Sequence, residues 1–185
     1  MKYKSLNTFP LKVFKKISDN LDENIYLLSD DKSDKITELK NHWNSLQQSF
    51  KEVDKITKSN GFSIVKIIIE LAYLKNKYHI IFLSLKSLEF TYNQDLINLI
   101  LEEGYQISRK NLQSDIKKIY QIIDAQTEFI KFLPEDINRF DLMDYYCCWM
   151  IILNRQLDIS YENVTVGGYF DIQIEAIKFL NQKVK

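Results

Sequence analysis

Glycine and proline are scarce, with four and two among 185 residues. That scarcity disfavours a turn-rich all-β fold, which needs both residues at its tight corners. Cysteine is limited to the adjacent pair Cys147 and Cys148 in an apolar context. Such a pair makes neither a disulfide framework nor a zinc knuckle, and a reducing compartment is the simpler inference. An excess of one charge is also missing, because 25 Lys and Arg balance 25 Asp and Glu. No global field therefore draws the chain to nucleic acid or to an anionic membrane. Arginine, the residue that reads phosphates and bases in bidentate fashion, occurs only as Arg109, Arg139 and Arg155, so direct sequence-specific nucleic-acid recognition is not expected.

An uninterrupted membrane-length apolar run is lacking too. The most apolar stretch, residues 62–88, is broken by Lys66, Glu70, Lys75, Lys77, His79 and Lys86, which oppose insertion. The opening MKYKSLNTFP does not follow the charged, apolar, small order of a secretory signal. The expected setting is the cytoplasm, without a membrane partner. No Gly-, Pro- or Ser-rich linker divides the chain, so a single helical domain over 1–185 is expected.

Helical periodicity is what the sequence has in abundance. In residues 62–88, Ile67, Leu71, Leu74, Tyr78, Ile81, Leu85 and Leu88 recur at steps of four and three and form one seam. Ile64, Ile68 and Phe82 widen the apolar arc, which predicts cover on more than one side. Lys75-Asn76-Lys77 is a polar bump that leaves the continuity of this helix open.

Ahead of it, Ser33 opens a helix with Ile36, Leu39, Trp43, Leu46, Phe50 and Val53 in a heptad seam, ended by Asn60-Gly61. The short connection predicts an antiparallel αα-hairpin with arms of about 25 residues, roughly 38 Å at 1.5 Å per residue. Before the hairpin, Thr8 is a candidate cap for a short helix presenting Leu11, Phe14 and Ile17, with Pro10 tolerated in its first turn. Residues 19–32 read as a connecting loop.

Beyond the hairpin, Asn93 and Gly104 bracket a short helix carrying Leu96, Ile97, Ile100 and Leu101. Ser108 or Arg109 begins a long one with Leu112, Ile116, Ile119, Ile123, Gln126 and Ile130, stopped by Pro134. From Asn138 or Asp141 to Leu157 two apolar stripes coexist, which predicts a buried helix. Residues 159–166 are strand-like. After Gly167-Gly168 a final amphipathic helix carries Phe170, Ile174, Ile177 and Phe179. The expected fold is all-α, an elongated helical bundle of about seven helices built on the hairpin.

Chemistry is hard to find in this pattern. Glu38 and His42 share a helical face, but two ligands hold no catalytic zinc, and no His-Glu-x-x-His pattern exists. His79 has no carboxylate at helical spacing. Asp141 and Asp144 suit an N-terminal cap at least as well as a pocket pair. The apolar surroundings of Cys147 and Cys148 would raise a thiol pKa, not lower it. Gly167-Gly168 lacks the frame of a phosphate loop. No catalytic residue, cofactor or metal ligand is assigned, and an enzyme is not expected. What remains is a binding protein or a structural subunit. The short helices over 8–18 and 168–183 are expected to dock neighbours through Leu11, Phe14, Ile17, Phe170, Ile174 and Ile177, because polar or Gly-containing segments would let them swing.

Three segments carry a family resemblance: the opening LNTFPLKVFKKI, the loop into the Lys/Glu/Asn-rich long helix, and the closing NVTVGGYFDIQIEAIKFL from Asn163. In these the chain resembles small helical virion proteins of crAss-like bacteriophages, which include ring and adaptor subunits between portal and tail. The resemblance implies a head-to-tail connector or tail-ring subunit, assembled in a bacterial host cytoplasm. Its partners would be portal or tail components, and its own copies would form a homo-oligomeric ring. The alternative is a small intracellular helical protein that binds and regulates one protein partner.

Overall fold

The structure is a computed structural model that describes residues 1–31, 35–59, 61–155 and 163–183. Among them the fold is all-α, with eight α-helices and no strand. They are α1 (Leu11–Asp19), α2 (Leu21–Asn24), α3 (Ile36–Ser59), α4 (Ile64–Phe90), α5 (Gln94–Glu102), α6 (Leu112–Phe132), α7 (Leu142–Ile152) and α8 (Val166–Gln182). No helix among the described residues is long and apolar enough to cross a membrane.

A single helical domain over 1–185 was the expectation. The chain forms two compact units, one from Met1–Ile64 with Phe140–Lys185 and the other from Val65–Arg139. The first boundary falls at the opening of α4, so no flexible linker marks it in the sequence.

The unit built from the two ends of the chain has an aromatic centre. Phe14 stacks on Phe50 at 4.9 Å and lies 5.0 Å from Trp43, Phe50 meets Phe170 at 5.1 Å, and Phe9 stacks on Tyr3 at 4.6 Å. Ring pairs at these separations add to the area they bury. Leu39, Trp43 and Leu46 of the α3 seam are buried, whereas Ile36 at its start is exposed. That seam is covered by the turn over Ile25–Leu28, by the turn over Leu6–Thr8 and by α8.

Of residues 19–32, those at 19–31 are described and are more than a loop. Asn20 caps α2 by accepting from the Glu23 N–H, and a 3₁₀ turn over Ile25–Leu28 follows. Its three-residue repeat sets Ile25 and Leu28 on one side, both buried, and leaves Tyr26 and Leu27 exposed. Thr8 closes a 3₁₀ turn instead of capping α1, which Pro10 precedes with φ −60°.

Residues 9–11 and 164–166 clasp each other. Leu11 N–H donates to Val164 O at 2.7 Å and Val166 N–H to Phe9 O at 2.9 Å, around a lone Pro10–Thr165 β-bridge. Of the strand-like residues 159–166, those at 159–162 lie outside the described residues, as does Ser33, and Val166 is already helical. Gly167 and Gly168 sit in the first turn of α8, where the Thr165 hydroxyl accepts from Gly168 N–H. A Cβ at Gly167 would stand 3.1 Å from Asn7 Cα and closer still to the Asn7 side-chain oxygen. This glycine permits close packing and is no swivel.

In the other unit, α4 is unbroken through Lys75-Asn76-Lys77. Lys77 turns toward the end of α5, donating to Glu103 O at 3.0 Å and pairing with its carboxylate at 2.8 Å, while Lys75 and Asn76 face solvent. Ile67, Leu74, Tyr78, Ile81, Leu85 and Leu88 are buried as the seam predicts, and Leu71 is half-buried. Asn93 caps α5 by accepting from Asp95 and Leu96 N–H groups. Gly104 (φ 89°) closes it in a Schellman arrangement, with Tyr105 N–H reaching Ile100 O. α6 starts at Leu112, later than expected, because Ser108 uses both N–H and hydroxyl to reach Asp115 ahead of the helix.

Candidate functional site

The six residues expected to dock neighbours belong to the core of their own unit. Leu11, Phe14, Ile17, Phe170 and Ile177 are buried and Ile174 is half-buried. Phe14 and Phe170 sandwich Phe50, and the clasp at Pro10–Thr165 pins both helices. Their apolar faces are turned into the chain's own packing, whereas the sequence led to an expectation of docking helices.

The polar candidates resolve into structural roles. Asp141 and Asp144 form a reciprocal capping box on α7: the Asp141 carboxylate accepts from Met143 and Asp144 N–H groups at 2.7 and 3.0 Å, and Asp144 accepts from Asp141 N–H at 2.9 Å. Burial alone would raise the Asp141 carboxyl, but the two backbone donors and the Lys15 ammonium hold it below the usual carboxylate value. Burial, with the Asp141 charge beside it, raises Asp144. Cys148 lies beneath this cap, fully buried, and burial pushes its thiol far up, away from nucleophilic use.

His42 reaches the start of the chain and not Glu38 on its own helical face. Its Nε2 lies 2.6 Å from Tyr3 O, and since a carbonyl only accepts, Nε2 is the donor in that bond. That bond ties α3 to the start of the chain. Among the described residues no group of three or more His, Cys, Asp or Glu is placed to hold a metal ion.

What the sequence reading missed is the far side of α4. The arc was expected to be covered on more than one side. Instead Val65, Ile68, Ile69, Tyr73, Ile80, Leu83 and Phe90 are exposed, Val65 by 64%, Ile69 by 62%, Ile80 and Leu83 by 52% each and Phe90 by 86%. At 100° per residue these positions centre about half a turn from the buried seam. Ala72, Asn76, His79, Lys86 and Ser87 complete the face, and it carries no carboxylate. The signal was in the sequence, since Val65, Ile69, Ile80 and Leu83 fit none of the seam positions.

One edge of this face opens into a cleft of about 380 Å³ between α4 and α6. Tyr78, Phe82 and Ile123 form its apolar lining, and Lys75, His79, Asp124 and Lys131 are the charged or titratable groups around it. Phe82 meets Tyr120 edge-on at 5.5 Å, with the Lys86 ammonium 5.4 Å from the centre of the Tyr120 ring. Apolar ground with cations at its margin can bind a helix or an extended apolar segment.

No family model, curated protein or solved structure matches this chain.

Proposed function

We propose that this protein is a non-catalytic helical subunit that works by protein–protein assembly, and that the outer face of α4 is its assembly surface. One observation carries the reading. A helix whose first seam is already buried exposes a second apolar face along nearly its whole length. Soluble monomers rarely keep such a contiguous patch, and large ones mark interaction sites. The resemblance of both chain ends to small helical virion proteins of crAss-like bacteriophages supplies the setting: a ring or adaptor subunit between portal and tail, in contact with other virion proteins.

The test is co-expression of the chain with the products of neighbouring genes, followed by native mass measurement of the purified assemblies. Wild-type protein is expected to enter a larger complex. The pair Ile80→Glu with Leu83→Glu, at exposed positions, is expected to keep the helical circular dichroism and to lose incorporation. Incorporation undiminished by that pair sinks the reading.

A further inference from the structure

We infer that the outer face of α4 pairs with the same face of a second copy, antiparallel, about a two-fold axis passing at Asn76. The inference rests on the assembly reading above and names its partner. Val65, Ile69, Ala72, Asn76, Ile80, Leu83 and Ser87 follow one another at steps of four, three, four, four, three and four, and all are exposed. That spacing is the same read from either end, with Asn76 at its centre. Two copies related by the axis therefore bring Ile69 against the second copy's Leu83, Ala72 against its Ile80 and Val65 against its Ser87. Two of those pairs set a small residue opposite a large one, which lets facing helices interdigitate.

Asn76 then meets its own symmetry mate. An amide is both donor and acceptor, so two Asn76 side chains satisfy one another, and one polar residue in an apolar seam fixes register. Apolar side chains open to solvent continue from Val65 to Phe90, with Val65 64% and Ile69 62% exposed, and a standard interface takes about 800 Å² from each partner.

Two other occupants fit less well. An anionic membrane surface would be met by Lys66, Lys75 and Lys86 along the face, but Asn76 on the centre line would be pushed deepest into the apolar layer with its amide unpaired. An acidic helix from another protein would satisfy the cations yet would not account for the symmetric spacing. Pairing with a copy brings the two Lys75 ammonium groups near one another beside the axis and adds no carboxylate, so screening by salt should tighten it, whereas salt would weaken both alternatives.

The experiment measures solution mass across micromolar concentrations at low and high salt, with variants that add one surface cysteine to the full chain, whose own Cys147 and Cys148 are buried. Expected are a dimer that strengthens with salt, rapid self-crosslinking of Asn76→Cys under mild oxidation, and a mixture of Ile69→Cys and Leu83→Cys that forms the mixed disulfide in preference to either homodimer. The Ile80→Glu, Leu83→Glu pair should be monomeric and folded. A wild-type monomer throughout, a crosslink of Ile69→Cys to itself, or dimers that dissociate as salt rises each overturn the inference. A wild-type monomer that sediments with anionic vesicles overturns it in favour of a membrane. Should the chain stay monomeric while the double-Glu pair still blocks incorporation with other proteins, self-pairing falls and the assembly function stands.

Discussion

The Lys15 ammonium stands 3.2 Å from the Asp141 carboxylate and 2.6 Å from that of Asp19, so one cation from α1 closes the N-terminus of α7. Two segments distant in sequence are joined where a helix dipole already favours negative charge. The arrangement has a pH signature. Asp141 has its carboxyl depressed in the folded chain, so its contribution is present above the unfolded value of about 3.9 and is lost as pH falls through the folded value. Asp141→Asn keeps a capping acceptor without the charge. Denaturant melts should therefore show wild type the more stable at neutral pH, by less than about 1 kcal/mol at this partly exposed site, with the gap closing below about pH 4. A gap that is constant with pH would refute the assignment.

Burial of Phe14 predicts that truncating it harms the fold itself. Phe14→Ala should cost about 3–5 kcal/mol, the usual range for emptying a ring from a core, read as a shifted denaturation midpoint. Retention of wild-type stability with loss of assembly would restore Phe14 as a docking residue.

The two faces of α4 predict opposite outcomes for the same substitution. Leu85→Ala on the buried seam should cost about 2–5 kcal/mol, whereas Leu83→Ala, half exposed, should change monomer stability by no more than about 0.5 kcal/mol. Melts on protein dilute enough to be monomeric make the comparison. Equal costs would mean that the outer face is not free.

Gly167→Ala ordinarily favours a helix, yet here the new methyl would press on Asn7. A lowered melting temperature is expected, and the double variant with Asn7→Gly should recover part of the loss. An unchanged or raised melting temperature in the single variant would show that Asn7 moves aside freely.

Legibility of the fold followed how local its causes are. The α4 and α6 seams, the Asn93 cap, the Gly104 stop and the Asp141–Asp144 cap depend on residues within a turn or two of one another, and periodicity or spacing exposes them. The fate of Phe14, Phe170 and Gly167 did not show in the sequence, because it depends on Phe50 and Asn7, which only tertiary packing brings near. An amphipathic helix looks the same whether its partner is the same chain or another. The division at Ile64 was hidden for a different reason: the boundary opens onto a helix, and composition does not change there.

The clasp between residues 9–11 and 164–166 has a consequence for biogenesis. A ribosome delivers Val65–Arg139 before any of the C-terminal half of the other unit exists, so the inserted unit can fold on the ribosome while the first 64 residues cannot. Through that interval the turn over Leu6–Thr8, α1 and α3 lack the α8 surface that packs on them in the finished protein. A chain interrupted before Thr165 would carry one complete unit and a permanently unfinished second one, a form that cellular proteolysis would find first at its N-terminal end.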